Sequence, residues 1–289
     1  MTNTMEQLNV MLSDIQRFST EDGPGIRTTV FFKGCNLRCA WCHNPETQKS
    51  NPEVMFYERK CTHCGACVNV CPHALQACKH CGACAEVCVS GAREMSGKRY
   101  FVEDLLSEIK KDEIFYQTSG GGVTFSGGEC MLQIDALEEL LKRCKASGIS
   151  TAVDTAGELP FAYFERILPY VDLFLYDIKC MDSATHKKYV GVENTRILDN
   201  LHRLQYSGAR IWVRIPVIEG VNASLEEMQN VNAWLKAGGG VEQVQLLPYH
   251  TFGEHKYKAL SREMQRFATP SEEKMQTLAT AFDLPVAVR

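Results

Sequence analysis

Cys35-x3-Cys39-x2-Cys42 lies within Gly34–Asn44 and directly follows a strand-like run, Thr28–Lys33. A cubane [4Fe–4S] cluster has four irons, and electron carriers give each of them a thiolate. Three thiolates leave one iron open, and an open position lets a metal centre act on a bound ligand. A structural zinc with His43 as fourth ligand is the alternative that this spacing leaves open.

A second constellation follows. Cys61-x2-Cys64-x2-Cys67-x3-Cys71-Pro72 precedes Cys78-x2-Cys81-x2-Cys84-x3-Cys88, which repeats it at an offset of 17 residues, and Gly91 follows Cys88 as Ala74 follows Cys71. Eight cysteines in this double pattern point to two [4Fe–4S] clusters of bacterial ferredoxin type, where the fourth cysteine of each run serves the other cluster. Cys61, Cys64, Cys67 and Cys88 then hold one cluster, and Cys78, Cys81, Cys84 and Cys71 the other. Two features depart from that type. Val89 stands where a proline is expected, and the link Pro72–Ala77 is short, so trimmed flanking strands are expected. Zinc ribbons are the alternative, but they do not ask for eight interlocked ligands.

The bulk properties agree with metal chemistry inside an ordinary domain. The chain has 289 residues, 45% hydrophobic and 23% charged, with a net charge of −4. That charge argues against a nucleic-acid binder. Neither a membrane-length apolar run nor a signal-peptide core is read in it, so a cytoplasmic protein is expected. Eleven of the 14 cysteines fall between Cys35 and Cys88, which disulfide stapling of a large domain would not explain. Cys130, Cys144 and Cys180 read as small buried hydrophobes.

These groups need elements to position them. Asp22-Gly23-Pro24-Gly25 is turn chemistry, and residues 14–33 read as an entry segment, a turn and a strand. After residue 98 the chain alternates. Helices are predicted at 102–113, 132–147, 161–171, 183–190, 195–207, 224–236 and 270–281, and strands at 122–126, 151–154, 173–178, 210–218 and 243–248. With Thr28–Lys33 this makes six strands alternating with helices, hence βαβ units and a parallel sheet. A closed barrel needs eight units. A curved, incomplete (β/α)6 barrel fits better, with a flat doubly wound sheet as the alternative. The domain reading is 1–50 for the start of the barrel with the three-cysteine loop, 51–98 for a ferredoxin-like insert, and 99–289 for the remaining barrel and C-terminal helix.

Polar residues recur where these strands end: Ser126-Gly127-Gly128-Glu129, Asp154-Thr155, Asp177-Ile178-Lys179, Arg214, and Tyr249-His250. Each alone is as well explained by a solvated face or a cap. Together, at one end of one sheet, they describe a polar pocket over the open metal position. The glycines would let a ligand approach the backbone, and Glu129 would accept from an ammonium group.

The run Asp22-Gly23-Pro24-Gly25-Ile26-Arg27-Thr28 leading into Cys35-x3-Cys39-x2-Cys42 resembles the glycyl-radical-enzyme activating enzymes of the radical S-adenosylmethionine superfamily. Gly120–Glu129, Asp177-x-Lys179, Arg214-x-Pro216 and Leu247-Pro248-Tyr249-His250 extend the resemblance over nearly the whole chain. The insert is similar to that of the larger activating enzymes rather than to the minimal pyruvate formate-lyase type.

The resemblance implies a radical-SAM partial barrel. S-adenosylmethionine chelates the open iron, an electron from a flavodoxin- or ferredoxin-type donor cleaves it, and the 5′-deoxyadenosyl radical takes hydrogen from a glycine α-carbon of a partner enzyme. By motif position, Cys35, Cys39 and Cys42 hold the catalytic cluster, and Trp41 and His43 lie against the adenosine. Gly127, Gly128 and Glu129 meet the methionyl amino group, while Asp177, Lys179, Arg214 and His250 line the remaining surface, with Lys179 also counted as catalytic. A monovalent cation would match Asp154, Thr155, Asp177 and the Leu175 carbonyl. A monomer is expected, with Tyr249–Ser261 a candidate partner contact. The alternatives are a radical enzyme acting on a small molecule and a ferredoxin-like electron carrier. Relatives serving pyruvate formate-lyase, choline lyase, glycerol dehydratase, arylacetate decarboxylase and hydroxyproline dehydratase are similar to one another, so the partner's identity is not in the sequence.

Overall fold

The computed structural model describes residues 8–73, 75 and 78–289. Ala74, matched with Gly91 by the repeat, and Ala77, the end of the inter-run link, lie outside the described residues. In chain order the elements are β1 (Asn9–Ser19), β2 (Arg27–Phe32), β3 (Glu53–Phe56), α1 (Ala66–Val70), α2 (Ala83–Glu86), β4 (Arg93–Ser96), β5 (Lys98–Phe101), α3 (Val102–Lys110) and α4 (Glu113–Ser119). There follow β6 (Gly122–Gly127), α5 (Ile134–Ala146), β7 (Ser150–Thr155), α6 (Phe161–Ile167), β8 (Leu173–Asp177), α7 (Ser183–Val190), α8 (Thr195–Tyr206), β9 (Ile211–Val217), α9 (Leu225–Gly238), β10 (Val241–Pro248), α10 (Glu254–Ala259), α11 (Glu272–Ala279) and β11 (Val286–Val288).

Nine strands form one mixed sheet in the order β11-β10-β9-β8-β7-β6-β2-β1-β5. From β2 to β11 every pairing is parallel, and β1 pairs antiparallel with β2 and β5. The six expected parallel strands are all present. Their order has no reversal, so the doubly wound alternative, which requires one, does not describe the sheet. Three strands of the sheet went unread. β1 runs through what the sequence presents as an entry segment, because a register shift between Leu12 and Asp14 breaks its alternation. β11 is three residues long and β5 four.

The two faces of the sheet have opposite chemistry because side chains alternate along each strand. Val153, Phe174, Tyr176, Val213, Ile215, Val244 and Leu246 join the main apolar core with Leu137, Leu140 and Leu141 of α5 and Ile197, Leu201 and Leu204 of α8. The alternate positions, among them Ser126, Asp154, Asp177 and Arg214, face the other way and line a cavity. The helices carry the caps their sequences offer: Asp182, Ser224 and Ser271 each accept from the N–H three residues on. The helix expected at 102–113 is α3, which ends at Lys110; the chain turns at Lys111–Asp112, and α4 follows as a helix not expected from the sequence.

The cysteine-rich segment is closed at its base by β3 and β4, an antiparallel pair in register from Glu53–Ser96 to Phe56–Arg93. Its internal repeat is also a repeat of conformation. His63 and His80 have φ of 56° and 54°, and Gly65 and Gly82 have φ of 78° and 89° before α1 and α2. In each half the histidine N–H points to the sulfur two residues before it, His63 to Cys61 and His80 to Cys78, both at 3.4 Å. Leu75 and Arg93 donate likewise to Cys71 and Cys88. N–H groups aimed at cysteine sulfur are the outer contacts that tune an iron–sulfur centre, so these residues fit the group read from their spacing.

Candidate active site

The loop after β2 is held from three sides. Gly34 N–H donates to the Thr47 carbonyl at 2.7 Å. Arg38 and Ala40 donate to the carbonyls of Val190 and Tyr189, at 2.9 and 2.8 Å. Those two carbonyls end α7, where the helix itself has no donors left for them. On the third side Gly127 and Gly128 press against the loop. A Cβ on Gly127 would lie 2.3 Å from the Phe32 nitrogen, and one on Gly128 would lie 2.1 Å from the Gly34 oxygen. The glycines are therefore required by the chain's own close approach, in addition to facing the cavity. Leu37 and Trp41 anchor the loop in an apolar cluster with Val190, Ile218 and Tyr249, and Trp41 meets Phe267 edge-on with centroids 6.0 Å apart.

All three thiols of the loop are unpaired and face one cavity of about 740 Å³. Burial pushes Cys35 up to about 11 and Cys39 up to about 12, and raises Cys42 as well. Such thiols stay protonated at neutral pH unless a metal takes the proton's place. Leu37 N–H points at Cys35 Sγ, 3.4 Å away. Three soft donors with an N–H turned onto one sulfur fit a cluster. His43, the fourth ligand that the zinc alternative would need, meets the His250 ring edge-on, with centroids 4.3 Å apart. Burial, with His250 and Lys256 nearby, lowers His43 to about 4, and burial lowers His250 too, so both rings are neutral.

Every residue expected at the cluster or the cofactor lines this cavity except Glu129. Across from the thiols is a buried charge network. Lys179 Nζ sits 2.8 Å from Asp177 Oδ2. Arg214, beside Asp177 in register, approaches Asp154 at 3.3 Å and Asp22 at 3.6 Å. Burial alone would lower both cations. Asp177, with Asp154 beyond it, overcomes that for Lys179, and Asp154, Asp177 and Asp22 for Arg214, so both stay charged. Asp154 is pushed up to about 6 by burial, against the pull of Arg214. Asp154 and Asp177 thus already hold cationic partners, and the Thr155 hydroxyl is committed to Glu129, so a monovalent cation there would have to displace them.

Glu129 stands behind the wall. It is 1% exposed, and its carboxylate accepts from Met131 N–H, the Thr155 hydroxyl and Ala156 N–H at 3.3, 2.8 and 3.2 Å. Its own N–H bonds the Gly34 carbonyl at 2.8 Å. It joins the cluster loop to the end of β7 rather than facing a ligand's ammonium. Asp22 moves the other way. The sequence offers it as a turn residue and as the start of the Asp22–Thr28 run, with no site role, yet its carboxylate reaches the site, fixed by Ser19 and Thr29 hydroxyls at 2.6 and 2.8 Å. Arg27 of the same run lies outside the site. It is buried, and donates to Thr124 and to the carbonyls of Pro24, Val123 and Ser150, which ties the turn to β6 and β7.

Comparison with known proteins agrees with this geometry. Residues 29–231 match the Radical SAM superfamily. The chain is 45% identical to the trans-4-hydroxy-L-proline dehydratase activating enzyme of Clostridioides difficile, over 96% of this chain and 97% of the relative. It is 39% identical to the choline trimethylamine-lyase activating enzyme of Oleidesulfovibrio alaskensis, over 98% and 99%. Among solved structures, a domain of a pyruvate-formate lyase-activating enzyme from Bacteroides vulgatus superposes with TM-score 0.51 at 33% identity, covering 58% of this chain and 99% of that one.

Proposed function

The chain belongs to the radical S-adenosylmethionine superfamily and, within it, to the glycyl-radical-enzyme activating enzymes, and from that premise we propose how its own residues divide the work. It activates a partner glycyl radical enzyme. The observation that carries the residue assignment is the single cavity with three unpaired thiols on one side and the Asp154–Arg214–Asp177–Lys179 network on the other.

Cys35, Cys39 and Cys42 hold three irons of a [4Fe–4S] cluster. A cluster held by these three thiols would supply the electron for reductive cleavage of S-adenosylmethionine, the chemistry by which a hydrogen is taken from the partner's glycine. Lys179 and Arg214 keep positive charge facing the cavity, where a carboxylate is stabilised by them. Asp177 and Asp154 hold those cations in place. Gly127 and Gly128 present backbone to the ligand, and Glu129 braces them from behind. Leu37, Trp41, Tyr249 and the neutral His43–His250 pair keep one wall dry, which protects a radical from stray hydrogen donors.

The strand order without a reversal supports a curved, incomplete barrel whose open side admits a protein loop. Residues 51–98 form an insert with two further clusters on the eight cysteines assigned above. Residues 1–50 and 99–289 form the barrel. A flavodoxin- or ferredoxin-type protein donates the electron, and the chain acts as a monomer.

Iron analysis and spectroscopy test this reading. The reconstituted protein should hold about twelve irons, four per cluster. Replacing Cys35, Cys39 and Cys42 by Ala should remove about four and abolish S-adenosylmethionine cleavage. With its cognate partner, the wild type should produce a glycyl radical signal in electron paramagnetic resonance. About eight irons in the wild type, with no cleavage, would make it an electron carrier instead.

A further inference from the structure

β8 and β9 pair only as far as Asp177 and Arg214. One more rung follows, Ile178 N–H to the Arg214 carbonyl at 2.9 Å, and then the strands part. Their separation above this point is what gives the cavity its wall, because Lys179 continues one strand and Pro216 and Ile218 the other, and all three line it. Two strands that part inside a protein leave carbonyls without ladder partners, and an unpaired buried carbonyl is destabilising. Pro216 makes the problem sharper, having no N–H to offer a neighbour.

One side chain meets this need. Asn222 follows the turn after β9 and is 2% exposed. Its Nδ2 donates to the Lys179 carbonyl at 2.8 Å and to the Pro216 carbonyl at 2.6 Å. Its Oδ1 accepts from Ile218 N–H at 2.7 Å. The carboxamide thus stands in for the missing rung, with both donor hydrogens used. Its own N–H returns to the Ile218 carbonyl at 3.2 Å, which fixes where the side chain begins.

We propose that Asn222 is a positioning residue for the S-adenosylmethionine site: by spanning the parted ends of β8 and β9 it sets the main chain from which Lys179, Pro216 and Ile218 face the cavity. Asn222 does not itself line that cavity. Its effect runs through the placement of Lys179, whose ammonium must meet Asp177 and the ligand together. The proposal rests on the assignment of this cavity to S-adenosylmethionine.

A second buried asparagine supplies the control. Asn200, also 2% exposed, donates to the carbonyls of Gly157 and Leu159, both at 2.7 Å. Neither of those residues lines the cavity. Its loss removes the same two donations to main-chain carbonyls, from a loop beside the site.

The experiment uses the reconstituted full chain, dithionite as reductant and no partner protein. S-adenosylmethionine cleavage is followed against cofactor concentration, and the spectrum of the reduced cluster is recorded with increasing S-adenosylmethionine. Asn222→Ala and the isosteric Asn222→Asp, which has no hydrogens for the two carbonyls, should raise KM by roughly 10- to 100-fold. Their kcat should stay within about threefold of wild type. Iron content should match wild type, and the cofactor-dependent spectral change should need correspondingly more S-adenosylmethionine. Asn200→Ala should lower the melting temperature comparably and leave KM within about twofold. Should Asn222→Ala or Asn222→Asp fail to fold, Asn222→Ser, which keeps one donor, should show an intermediate rise in KM. Wild-type KM in a folded Asn222 variant, or an equal rise in Asn200→Ala, overturns the proposal. Absence of any cofactor-dependent change in the wild type overturns the functional reading instead.

Discussion

A buried carboxylate braced by three donors is an unusual neighbour for a cluster loop, and Glu129 has a measurable consequence. Burial lifts its carboxyl from the ordinary range to about 7. The folded chain therefore binds this proton more tightly than the unfolded chain does. The stabilisation is fully present below the unfolded value, near 4.5, and is lost as pH rises through 7. The loss is on the order of 3 kcal/mol, from about 1.4 kcal/mol per unit. Urea unfolding of the cluster-free protein between pH 5 and 8 should show stability falling as pH rises. Glu129→Gln, which is neutral throughout, should flatten that fall, and an unchanged slope in the variant would place its origin elsewhere. At this scale the sequence disclosed the residues whose chemistry has a spacing. The cysteines are such residues, since cluster geometry restricts where ligands can stand. Asn222, Asn194 and Asn200 have none. Each donates to two main-chain carbonyls, and which carbonyls need a donor is decided by where distant strands part. Arg27 and Asp22 sit in one short run, yet only the fold separates the cavity carboxylate from the structural cation.

Among elements, the segment after α10 carries more than its irregular outline suggests. Arg262 grips Glu53 of β3 with both carboxylate oxygens at 2.7 Å and also donates to the Pro45 carbonyl. Glu53 is buried and faces Lys33, the last residue before the cluster loop, 3.6 Å away with no side-chain exposure. Lys256 of α10 adds bonds to Asn44 and Glu46, both at 2.7 Å. One stretch of chain therefore clamps the insert's base and the cluster loop together. Removing one partner of a buried ion pair leaves the other uncompensated, at a cost of about 3–5 kcal/mol. Because Lys33 and Lys49 still face Glu53, Arg262→Ala should lie near the lower end, about 3 kcal/mol. Hydrogen exchange should rise first in β3 and β4. A loss confined to the C-terminal segment would mean that the clamp is local. Sequence periodicity predicted the helices that bury one face, such as α5 and α8, because packing imposes their period. It missed β1, whose bulge shifts Ile15 out of phase with Val10 and Leu12, and it offered nothing for Arg262, whose partners lie more than 200 residues away.

At the scale of the whole molecule, α10 lies between the two cysteine regions. His255 on one side of it meets Tyr57, four residues before Cys61, with centroids 5.9 Å apart. Tyr257 on the same helix lines a small pocket with Cys42. The cysteine-rich segment and the three-cysteine loop are thus joined through one short, well-packed helix rather than through solvent. That arrangement suits electron transfer from a protein donor through the insert to the cavity. It would equally serve an insert that merely folds around its metals. The two roles part on the choice of reductant. Dithionite is small and can reach the catalytic cluster from the cavity, whereas a flavodoxin-sized protein must deliver its electron at the surface. In a variant carrying Cys64→Ser and Cys81→Ser, dithionite-driven S-adenosylmethionine cleavage should stay within a few-fold of wild type. Cleavage driven by reduced flavodoxin should fall by at least about tenfold. Iron analysis must still find the roughly four irons of the catalytic cluster, so that loss of the donor pathway is separated from loss of the site. Equal activity of variant and wild type with both reductants would assign the insert clusters to structure alone, and the contacts through α10 would then be a fastening rather than a route.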